Sequence, residues 1–479
     1  MHAVVKGGKT ARASALVQQG LQLILQGRYE DALAAEEAAL GLAPGLPDAH
    51  SYRGSALLQL GRVNEALASY DKVVKLAPNA AVAHYNRANA LNRLRRYDEA
   101  LQSLKRALRL QPRYTDALSL TGVVLQAMGD TPSALEHYDA AIRINPNAAD
   151  AHYNKGLALL TAGEFTHAWE HYEWRLRWDV TVRVGQSRSV DRVAPDWDGK
   201  PTSKPILVIP EQGLGDQIFF AGMLADLQVV APGSTVCLEP RLLPLFERSF
   251  EKLNFSSPYD IDAEQCIKDG SFSAQIHIGS LGKYFRADTA GLSRVNTPYL
   301  KADPIKTSRL RSRIAKLGRI VCGISWRSKN ADIGADKSLS LETLAPVLTA
   351  AGVDFVDLQY GDTAEERYRL KQDHGVHVQH LDDVDNTNDL DSLAALVSAC
   401  DIVITISNVT AHIAAAIGKP ILVMLPNSPT LFWYWHRDRV NSPWYPSCVL
   451  IRQKQPGEWI DVVETVAVAL NELRSNLTI

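Results

Sequence analysis

A short glycine loop, Gly213-Leu214-Gly215-Asp216, carries the first group of residues that could do chemistry. It follows the apolar run 205–209, which predicts a buried strand, and it precedes a helix predicted over 217–231. Glycines let a backbone approach a ligand closely, and a positioned carboxylate can take a proton from a hydroxyl group. Asp216 is therefore a candidate general base. The alternative is that Asp216 only caps the helix.

A second polar loop, Ser407-Asn408-Val409-Thr410, lies between the apolar run 401–406 and a helical stretch that ends at Gly418. Backbone N–H groups at a helix start, together with the hydroxyls of Ser407 and Thr410, can hold a phosphate group. His412 lies in the first helical turn and could add a charged or neutral donor. The alternative is an ordinary serine or threonine N-cap beside a half-exposed histidine.

A third loop, at the end of a predicted strand over 320–325, is basic. Ser325, Arg327, Lys329 and Lys337 lie in or shortly after it. Several cations at one strand end could neutralise the charge of a diphosphate leaving group. Ordinary surface charge is the alternative for each of them taken singly.

Two further groups of residues are ambiguous. The acidic stretch 382–385 contains an Asp-x-Asp sequence, but its place in a polar loop before a helix favours no metal site. Aromatic residues follow the predicted strand 420–425, at Trp433, Trp435, Trp444 and Tyr445. They could stack on a base or sugar, or they could pack against one another.

The elements that would position these loops alternate between strand and helix from residue 204 to the C-terminus. Predicted helices include 241–252, 341–351, 363–371 and 389–399. Such alternation predicts parallel sheets covered on both faces, with ligands at the carboxyl ends of the strands. We predict two Rossmann-like domains, at 204–305 and 306–479, with a cleft between them and a helix at the C-terminus. A connector rich in turn-forming residues, 183–203, precedes them.

The chain before the connector repeats itself every 34 residues. Proline recurs at residues 44, 78, 112 and 146, and small residues, glycines and tyrosines recur at other fixed offsets, with Tyr70, Tyr138 and Tyr172 in one phase. A 34-residue period of this kind is the tetratricopeptide pattern, so 13–182 predicts an α-solenoid of five helical hairpins. The fifth contains Trp169, Trp174 and Trp178, which could either dock the array or line a ligand groove.

Tetratricopeptide arrays bind partners on a concave face. This array resembles those of O-linked N-acetylglucosamine transferases, in which asparagines hold a peptide backbone. The corresponding positions here include Asn86 and Asn154, so the resemblance implies acceptor binding by these two residues. The alternative is an array that only scaffolds or dimerises.

Composition excludes several classes of function. A formal charge of −2 offers no global field for nucleic acid or an anionic membrane. The five cysteines form no Cys-x-x-Cys pair, which predicts free thiols in a reducing compartment. We find no secretory signal and no run of membrane-span length, so a soluble cytoplasmic protein is expected. The oligomeric state stays open.

The loops at 213–216, 325–337 and 407–412 resemble those of glycosyltransferase family 9, which includes the lipopolysaccharide heptosyltransferases. The whole layout is similar to bacterial proteins that join tetratricopeptide repeats to such a domain, with strong matches at 211–216 and 442–447. The resemblance implies a GT-B fold, a nucleotide-sugar donor bound mainly by the C-terminal domain, inversion at the anomeric carbon, and neither cofactor nor essential metal. Some repeat-bearing relatives modify flagellin, so the acceptor is expected to be a protein.

The same resemblance implies a role for individual residues. Asp216 matches the catalytic base, Lys337 the phosphate-binding lysine with Lys329 as the competing assignment, and His412 the histidine of the phosphate loop. Gly213, Gly215, Ser325, Arg327, Ser407, Asn408 and Thr410 complete the expected nucleotide-sugar site. This chain has Ser407 and Val409 where heptosyltransferases usually have aspartate and glycine. The alternative function is therefore a non-catalytic adaptor that retains the second domain as a relic or a ligand sensor.

Overall fold

A computed structural model describes residues 2–177, 193–292, 298–330, 333–428 and 431–477. Trp178 and residues 183–192 of the predicted connector lie outside the described residues. The chain divides into two compact units. One comprises Met1–Ala158 and Trp174–Trp178, and the other comprises Leu159–Glu173 and Asp179–Ile479.

Helices in antiparallel pairs make up the repeat region, at the spacing that the 34-residue period predicts. In chain order they are α1 (His2–Leu25), α2 (Tyr29–Leu42), α3 (Pro47–Gln59), α4 (Val63–Leu76), α5 (Ala81–Arg93), α6 (Tyr97–Leu110), α7 (Thr115–Ala127), α8 (Thr131–Ile144), α9 (Ala149–Ala162) and α10 (Phe165–Tyr172). Glycine at a fixed position lets the paired helices approach. A Cβ on Gly54 would lie 2.7 Å from the Tyr70 ring, and one on Gly122 would lie 2.5 Å from the Tyr138 ring.

Ion pairs recur with the same period between neighbouring hairpins. Arg87 Nε lies 2.6 Å from Asp71 Oδ1, and Lys155 Nζ lies 2.6 Å from Asp139 Oδ1, sixteen residues apart in both pairs. Arg53 and Glu37 form the equivalent pair one period earlier. At the one remaining position of this series the residues are Thr121 and Lys105. Lys105 stands at the acidic position of the pair and Thr121 at the basic position. The threonine therefore avoids placing a second positive charge opposite Lys105.

The first hairpin departs from the tyrosine phase. Glu36 stands where later hairpins have Tyr70 and Tyr138, and its side chain is fully buried. Within the described part of the chain, neither carboxyl oxygen has a hydrogen-bond partner. Burial, with a smaller contribution from the charge of Asp48, raises the pKa of Glu36 to about 8. Glu36 is therefore mainly protonated at neutral pH.

Two parallel sheets form the second unit. The smaller has the order β3-β2-β1-β4, and the larger has the order β10-β9-β8-β5-β6-β7. The strands are β1 (Ile206–Ile209), β2 (Thr235–Cys237), β3 (Asn254–Ser256), β4 (Ala274–His277), β5 (Ile320–Ser325), β6 (Val353–Asp357), β7 (Val378–Gln379), β8 (Ile402–Ile406), β9 (Ile421–Leu425) and β10 (Cys448–Arg452). The predicted parallel architecture is confirmed by the pairing registers. Strands β3 and β10 are additions that the sequence analysis missed.

Short helices connect these strands. They are α11 (Leu214–Ala221), α12 (Leu224–Val230), α13 (Leu243–Ser249), α14 (Ala263–Asp269), α15 (Gly282–Phe285), α16 (Thr289–Leu292), α17 (Pro304–Ile314), α18 (Gly334–Lys337), α19 (Ala345–Leu348), α20 (Ala364–His374), α21 (Leu390–Ala399), α22 (Val409–Ile417) and α23 (Ile460–Leu477).

Two of the predicted helices were wrong in extent. The helix predicted over 217–231 begins at Leu214 and divides after Ala221, where a Cβ on Gly222 would come within 3.3 Å of Tyr299. The helix predicted over 341–351 is a 3₁₀ turn followed by the four-residue α19. Pro346 lies at the start of α19, and because it lacks an N–H group it cannot continue the preceding turn as an α-helix.

Hydrogen bonds and ion pairs join the two α/β halves of the second unit. Tyr299 N donates to Ala416 O at 2.9 Å, and Arg241 Nη1 donates to Thr387 O at 2.9 Å. Arg248 also pairs with Asp391, whose side chain is largely buried. The two halves therefore present their strand ends to a shared cleft in a fixed arrangement. Across the described ranges, none of the helices combines the length and apolar character needed to cross a membrane.

Candidate functional site

A cavity of ≈ 370 Å³ lies at the carboxyl ends of the strands in the second unit. Both α/β halves contribute to its wall. Its lining residues are Gly213, Leu214, Gly215, Asp216, Arg241, Ser328, Lys329, Asn330, Lys337, Tyr360, Asn386, Thr387, Leu390, Leu393, Ser407, Asn408, Val409, Thr410, His412, Phe432 and Tyr434. The three loops singled out in the sequence thus meet at one place.

Asp216 lies in the first turn of α11, on the wall formed by the N-terminal half. Its Oδ2 accepts from the backbone N–H of Gly213 at 3.2 Å, so it does cap the helix. Its Oδ1 accepts from Tyr434 OH at 3.1 Å, across the cleft. Burial raises the pKa of Asp216 to about 6, although both hydrogen bonds lower it. A carboxylate with this pKa is matched to proton transfer near neutral pH.

The two residues before the glycine loop are also fixed. Glu211 is buried, and its Oε1 accepts from Gly279 N at 2.7 Å. Gln212 Nε2 donates to Tyr172 OH at 2.8 Å. A Cβ on Gly215 would lie only 3.0 Å from the His412 ring, so a residue with a side chain at this position would have to displace that ring.

The opposite wall is built around the start of α22. The N-cap is Asn408, whose Oδ1 accepts from Ala411 N at 3.3 Å, and not the serine or threonine of the alternative interpretation. Asn408 Nδ2 donates to Ser325 Oγ at 2.8 Å, which ties this loop to the end of β5. Ser407 and Thr410 flank the cap and line the cavity. The first N–H groups of this helix lie where an anion could bind.

Lys337 and Lys329 both line the cavity, but their environments differ. Lys337 is buried, and its Nζ donates to Ser407 O at 2.9 Å. Burial lowers its pKa to about 8, and the negative charge of Asp216 opposes that shift. Lys329 is exposed, with its Nζ 5.8 Å from the centre of the Tyr360 ring. Which of the two would contact a diphosphate stays a prediction, as in the sequence analysis.

His412 is buried, in contrast to the half-exposed histidine of the alternative interpretation. Its Nδ1 lies 2.9 Å from Tyr445 OH. Burial, together with the charge of Lys337, lowers the pKa of His412 to about 3. The ring is therefore neutral, and it could offer a ligand a neutral hydrogen-bond donor but no positive charge.

Four predicted binding residues do not line the cavity. Ser325 lies fully buried beneath it, with its Oγ bonded to Gln359 and Asn408. Arg327 is turned away, because its guanidinium donates to Asp362 O and pairs with Glu366 at 3.1 Å.

The other two are in the first unit. Asn86, on α5, donates to Ser51 Oγ at 3.4 Å, and Asn154 is half-buried on α9. Their role in acceptor binding stays a prediction.

Sequence reasoning missed several lining residues, of which Arg241 and Tyr434 matter most. Arg241 follows β2, and its guanidinium pairs with Glu239 at 2.8 Å and donates to Thr387 O at 2.9 Å. Its place after a strand of the first half was the one signal that could have indicated it. Tyr434 belongs to an aromatic run whose pairing with Asp216 no local pattern predicts.

The tryptophans of that aromatic run pack inside the protein. Trp433, Trp435 and Trp444 are buried, as is Tyr445, and none of these four lines the cavity. Tyr434 stacks on Phe219, with ring centres 4.4 Å apart. The three tryptophans and Tyr445 therefore pack in the protein interior and are not placed to stack on a ligand in the cavity.

Two of the three tryptophans near the end of the repeats have partners within their own units. Trp169 is buried in the second unit, where its Nε1 donates to Arg286 O at 2.8 Å. A Cβ on Gly282 would lie 2.2 Å from the Trp169 ring, so the indole lies flush against the backbone. Trp174 stacks on His152 within the first unit, with ring centres 3.9 Å apart.

The acidic stretch 382–385 forms a surface ion pair and stabilises a turn. Asp383 pairs with Arg313 at 2.8 Å, and Asp385 Oδ1 accepts from Thr387 N at 2.8 Å. Throughout the part of the chain that the structure describes, no group of three or more histidine, cysteine, aspartate or glutamate side chains is placed to hold a metal ion.

Family models identify the repeats. A model described as tetratricopeptide repeat matches residues 17–81 and 52–115, and a model described as TPR repeat matches residues 127–163. The N-terminal helices are therefore tetratricopeptide repeats, as predicted. Repeats of this kind present surfaces for other proteins.

Relatives of known name cover parts of the chain. Protein FlbA of Caulobacter vibrioides is 32% identical over 295 residues, a match that covers 58% of this chain and 48% of FlbA. The chain thus spans about half the length of this relative. Among solved structures, a thermophilic TPR protein of Thermus thermophilus is 26% identical, with a TM-score of 0.33, over 36% of this chain and 95% of that one. The pilF protein of Pseudomonas aeruginosa is 24% identical, also with a TM-score of 0.33, over 36% of this chain and 78% of that one.

Proposed function

We propose that the protein is an inverting, metal-independent glycosyltransferase of the GT-B type, which moves a hexosyl or related sugar from a nucleotide-sugar donor to an acceptor hydroxyl. One observation carries this proposal. A single cavity brings together a carboxylate, Asp216, and an ammonium group, Lys337, from opposite α/β halves. The two groups provide the base and the counter-charge that such a transfer needs.

The donor would lie against the C-terminal half. Its diphosphate would accept hydrogen bonds from the first turn of α22 and from the hydroxyls of Ser407 and Thr410. Lys337 and Lys329 would neutralise the charge that develops on the departing nucleoside diphosphate. Neutral His412 would donate a further hydrogen bond, because its low pKa keeps the ring uncharged.

The acceptor would enter beside α11. Asp216, with a pKa of about 6, is ionised at neutral pH and would remove the proton of the acceptor hydroxyl as the oxygen attacks the anomeric carbon. The C–O bond to the diphosphate breaks as the new glycosidic bond forms, so configuration inverts. Gly213 and Gly215 leave room for sugar and acceptor beside the carboxylate.

We infer that the acceptor is a protein, because the chain carries repeats of a kind that binds proteins. Asn86 and Asn154 are the candidate acceptor contacts in the array, and a flagellin-like protein is the first acceptor to test.

The test has two stages. Thermal-shift measurements with a panel of nucleotide sugars first identify a donor. Intact-mass analysis then follows candidate acceptors, flagellin first, co-expressed with wild type and with Asp216→Asn. We expect a mass increase of one sugar residue or more with wild type and none with Asp216→Asn.

A matched control separates catalysis from helix capping. Asp262 caps α14 in the same half, where its side chain accepts from Gln265 N at 3.0 Å. Asp262→Ala removes a cap that has no part in the cavity, and it should leave sugar transfer intact. If both variants lost transfer activity to the same extent, the loss in Asp216→Asn would be explained by helix capping and not by a role of Asp216 as the base.

A non-catalytic adaptor is the second candidate. The observation that favours it is that both oxygens of Asp216 already accept hydrogen bonds within the protein. It predicts that no nucleotide sugar raises the melting temperature, while the repeats still capture a protein partner.

A further inference from the structure

Gln212, next to the loop that carries Asp216, has a backbone conformation that residues with side chains seldom adopt. Its φ is 63°, in the left-handed region. Such a conformation persists only where neighbouring groups hold it in place. Its side chain donates to Tyr172 OH at 2.8 Å, and Tyr172 is the last residue of α10.

The end of the same helix also supports the residue before Gln212. Glu173 Oε1 accepts from Ser280 Oγ at 2.7 Å. Gly279, next to Ser280, donates its backbone N–H to Glu211 Oε1 at 2.7 Å. Both residues that lead into the glycine loop are thus held, directly or through one neighbour, by residues 172–173.

Tyr172 also contacts the segment that reaches Asp216 from the other side. The Tyr172 ring is buried, with its centre 6.5 Å from that of Trp433. The next residue, Tyr434, donates to Asp216 Oδ1. The two segments that hold the carboxylate therefore both pack on one tyrosine.

The tyrosines at the same repeat position make different bonds. Tyr70 OH lies 3.2 Å from Ser55 Oγ, and Tyr138 OH donates to Gln126 Oε1 at 3.1 Å, so each bonds within its own hairpin. Only the fifth member of the series, among the described residues, bonds to Gln212, the residue that leads into the glycine loop. We propose that Tyr172 is a positioning residue for Asp216, and that the last repeat helix is a working part of the transfer site.

This proposal rests on the proposed function for its catalytic consequence, but its structural core can be tested without any substrate. Tyr172→Phe keeps the ring and its packing and removes only the hydroxyl group. We expect amide hydrogen exchange in residues 211–216 to accelerate by roughly threefold to tenfold, the effect of losing one hydrogen bond. Tyr138→Phe, the matched control, removes the same group one repeat earlier and should leave that exchange unchanged.

A double variant tests whether the effect passes through Gln212. Gln212→Leu removes the same hydrogen bond from its other end. It should accelerate exchange as Tyr172→Phe does, and the two changes together should add little to either one. Unchanged exchange in Tyr172→Phe, or an equal acceleration in Tyr138→Phe, would overturn the proposal.

Transfer kinetics then test the catalytic consequence. With the donor found above, Tyr172→Phe should lower kcat by roughly threefold to tenfold and leave the KM for the donor unchanged, because donor contacts lie on the other half. The acidic limb of the pH profile should move upward, because the Gly213–Asp216 hydrogen bond lowers the pKa of Asp216 and is weakened in the variant.

The two failures can be told apart. A wild-type protein that transfers no sugar would overturn the proposed function, while the exchange data would still decide whether Tyr172 holds the loop. A normal kcat in a variant whose loop exchanges faster would overturn the positioning role alone.

Discussion

The buried carboxyl group of Glu36 should make the first repeat less stable as the pH rises. Its pKa is about 8 in the folded protein against 4.5 as the ordinary value, so the unfolded chain releases a proton that the folded chain retains. No penalty exists below pH 4.5, and the penalty grows until about pH 8. At pH 7 it amounts to about 3 kcal/mol, since one pKa unit corresponds to about 1.4 kcal/mol.

Glu36→Gln removes the ionisation and retains the shape. The free energy of opening the first repeat, measured by native-state hydrogen exchange of α1 and α2 amides, should rise relative to wild type by about 3 kcal/mol between pH 4.5 and pH 7. The buried amide of the variant has a desolvation cost of its own, but that cost is the same at every pH. The change with pH in the difference between variant and wild type therefore reports the ionisation of Glu36. Glu37→Gln is the matched control, since Glu37 is half-exposed and paired with Arg53. The reasoning fails if both variants show the same dependence on pH.

The remaining predictions concern the cavity. The transfer rate should follow a bell-shaped pH profile with limbs near 6 and 8, because Asp216 must be ionised and Lys337 must be charged. A rate that is flat from pH 5 to pH 9 would exclude these two groups as the base and the counter-charge. Lys337→Met should raise the melting temperature of the ligand-free protein at pH 7, because it removes a buried charge that costs about 3 kcal/mol, and it should abolish pyrophosphate binding in calorimetry. Lys329→Met, which removes an exposed charge from the same cavity, should leave the melting temperature unchanged; equal shifts in the two lysine variants would contradict the argument.

Periodic signals made the repeats predictable. Small residues and prolines at several independent offsets agreed on one period, and each offset reports the same packing requirement between paired helices. Glu36 was not predicted, because a single polar residue in a tyrosine position carries no sequence signal for burial.

The site was predictable only where a loop follows a strand. The residues at 213–216 and 407–412 could be assigned to one edge because parallel strands end on the same side of a sheet. Arg327 was predicted to bind the nucleotide sugar but does not line the cavity, because the direction of a side chain depends on partners such as Glu366 that are distant in sequence. Tyr434 and Tyr172 were missed for the same reason.

The charges of the cavity favour a ligand-binding site over a relic. Lys337 donates to a backbone carbonyl, and Asp216 accepts from a tyrosine and a backbone amide, so these hydrogen-bond partners are all neutral. Burial raises the pKa of Asp216 and lowers the pKa of Lys337, so both values move toward pH 7. The folded protein therefore holds the charged form of each group at a cost in free energy. Structural charges in a protein interior are usually paired, and groups kept in this state cluster at functional sites. A bound diphosphate would offset this cost at Lys337, which is a physical reason to expect that the cavity binds an anionic ligand.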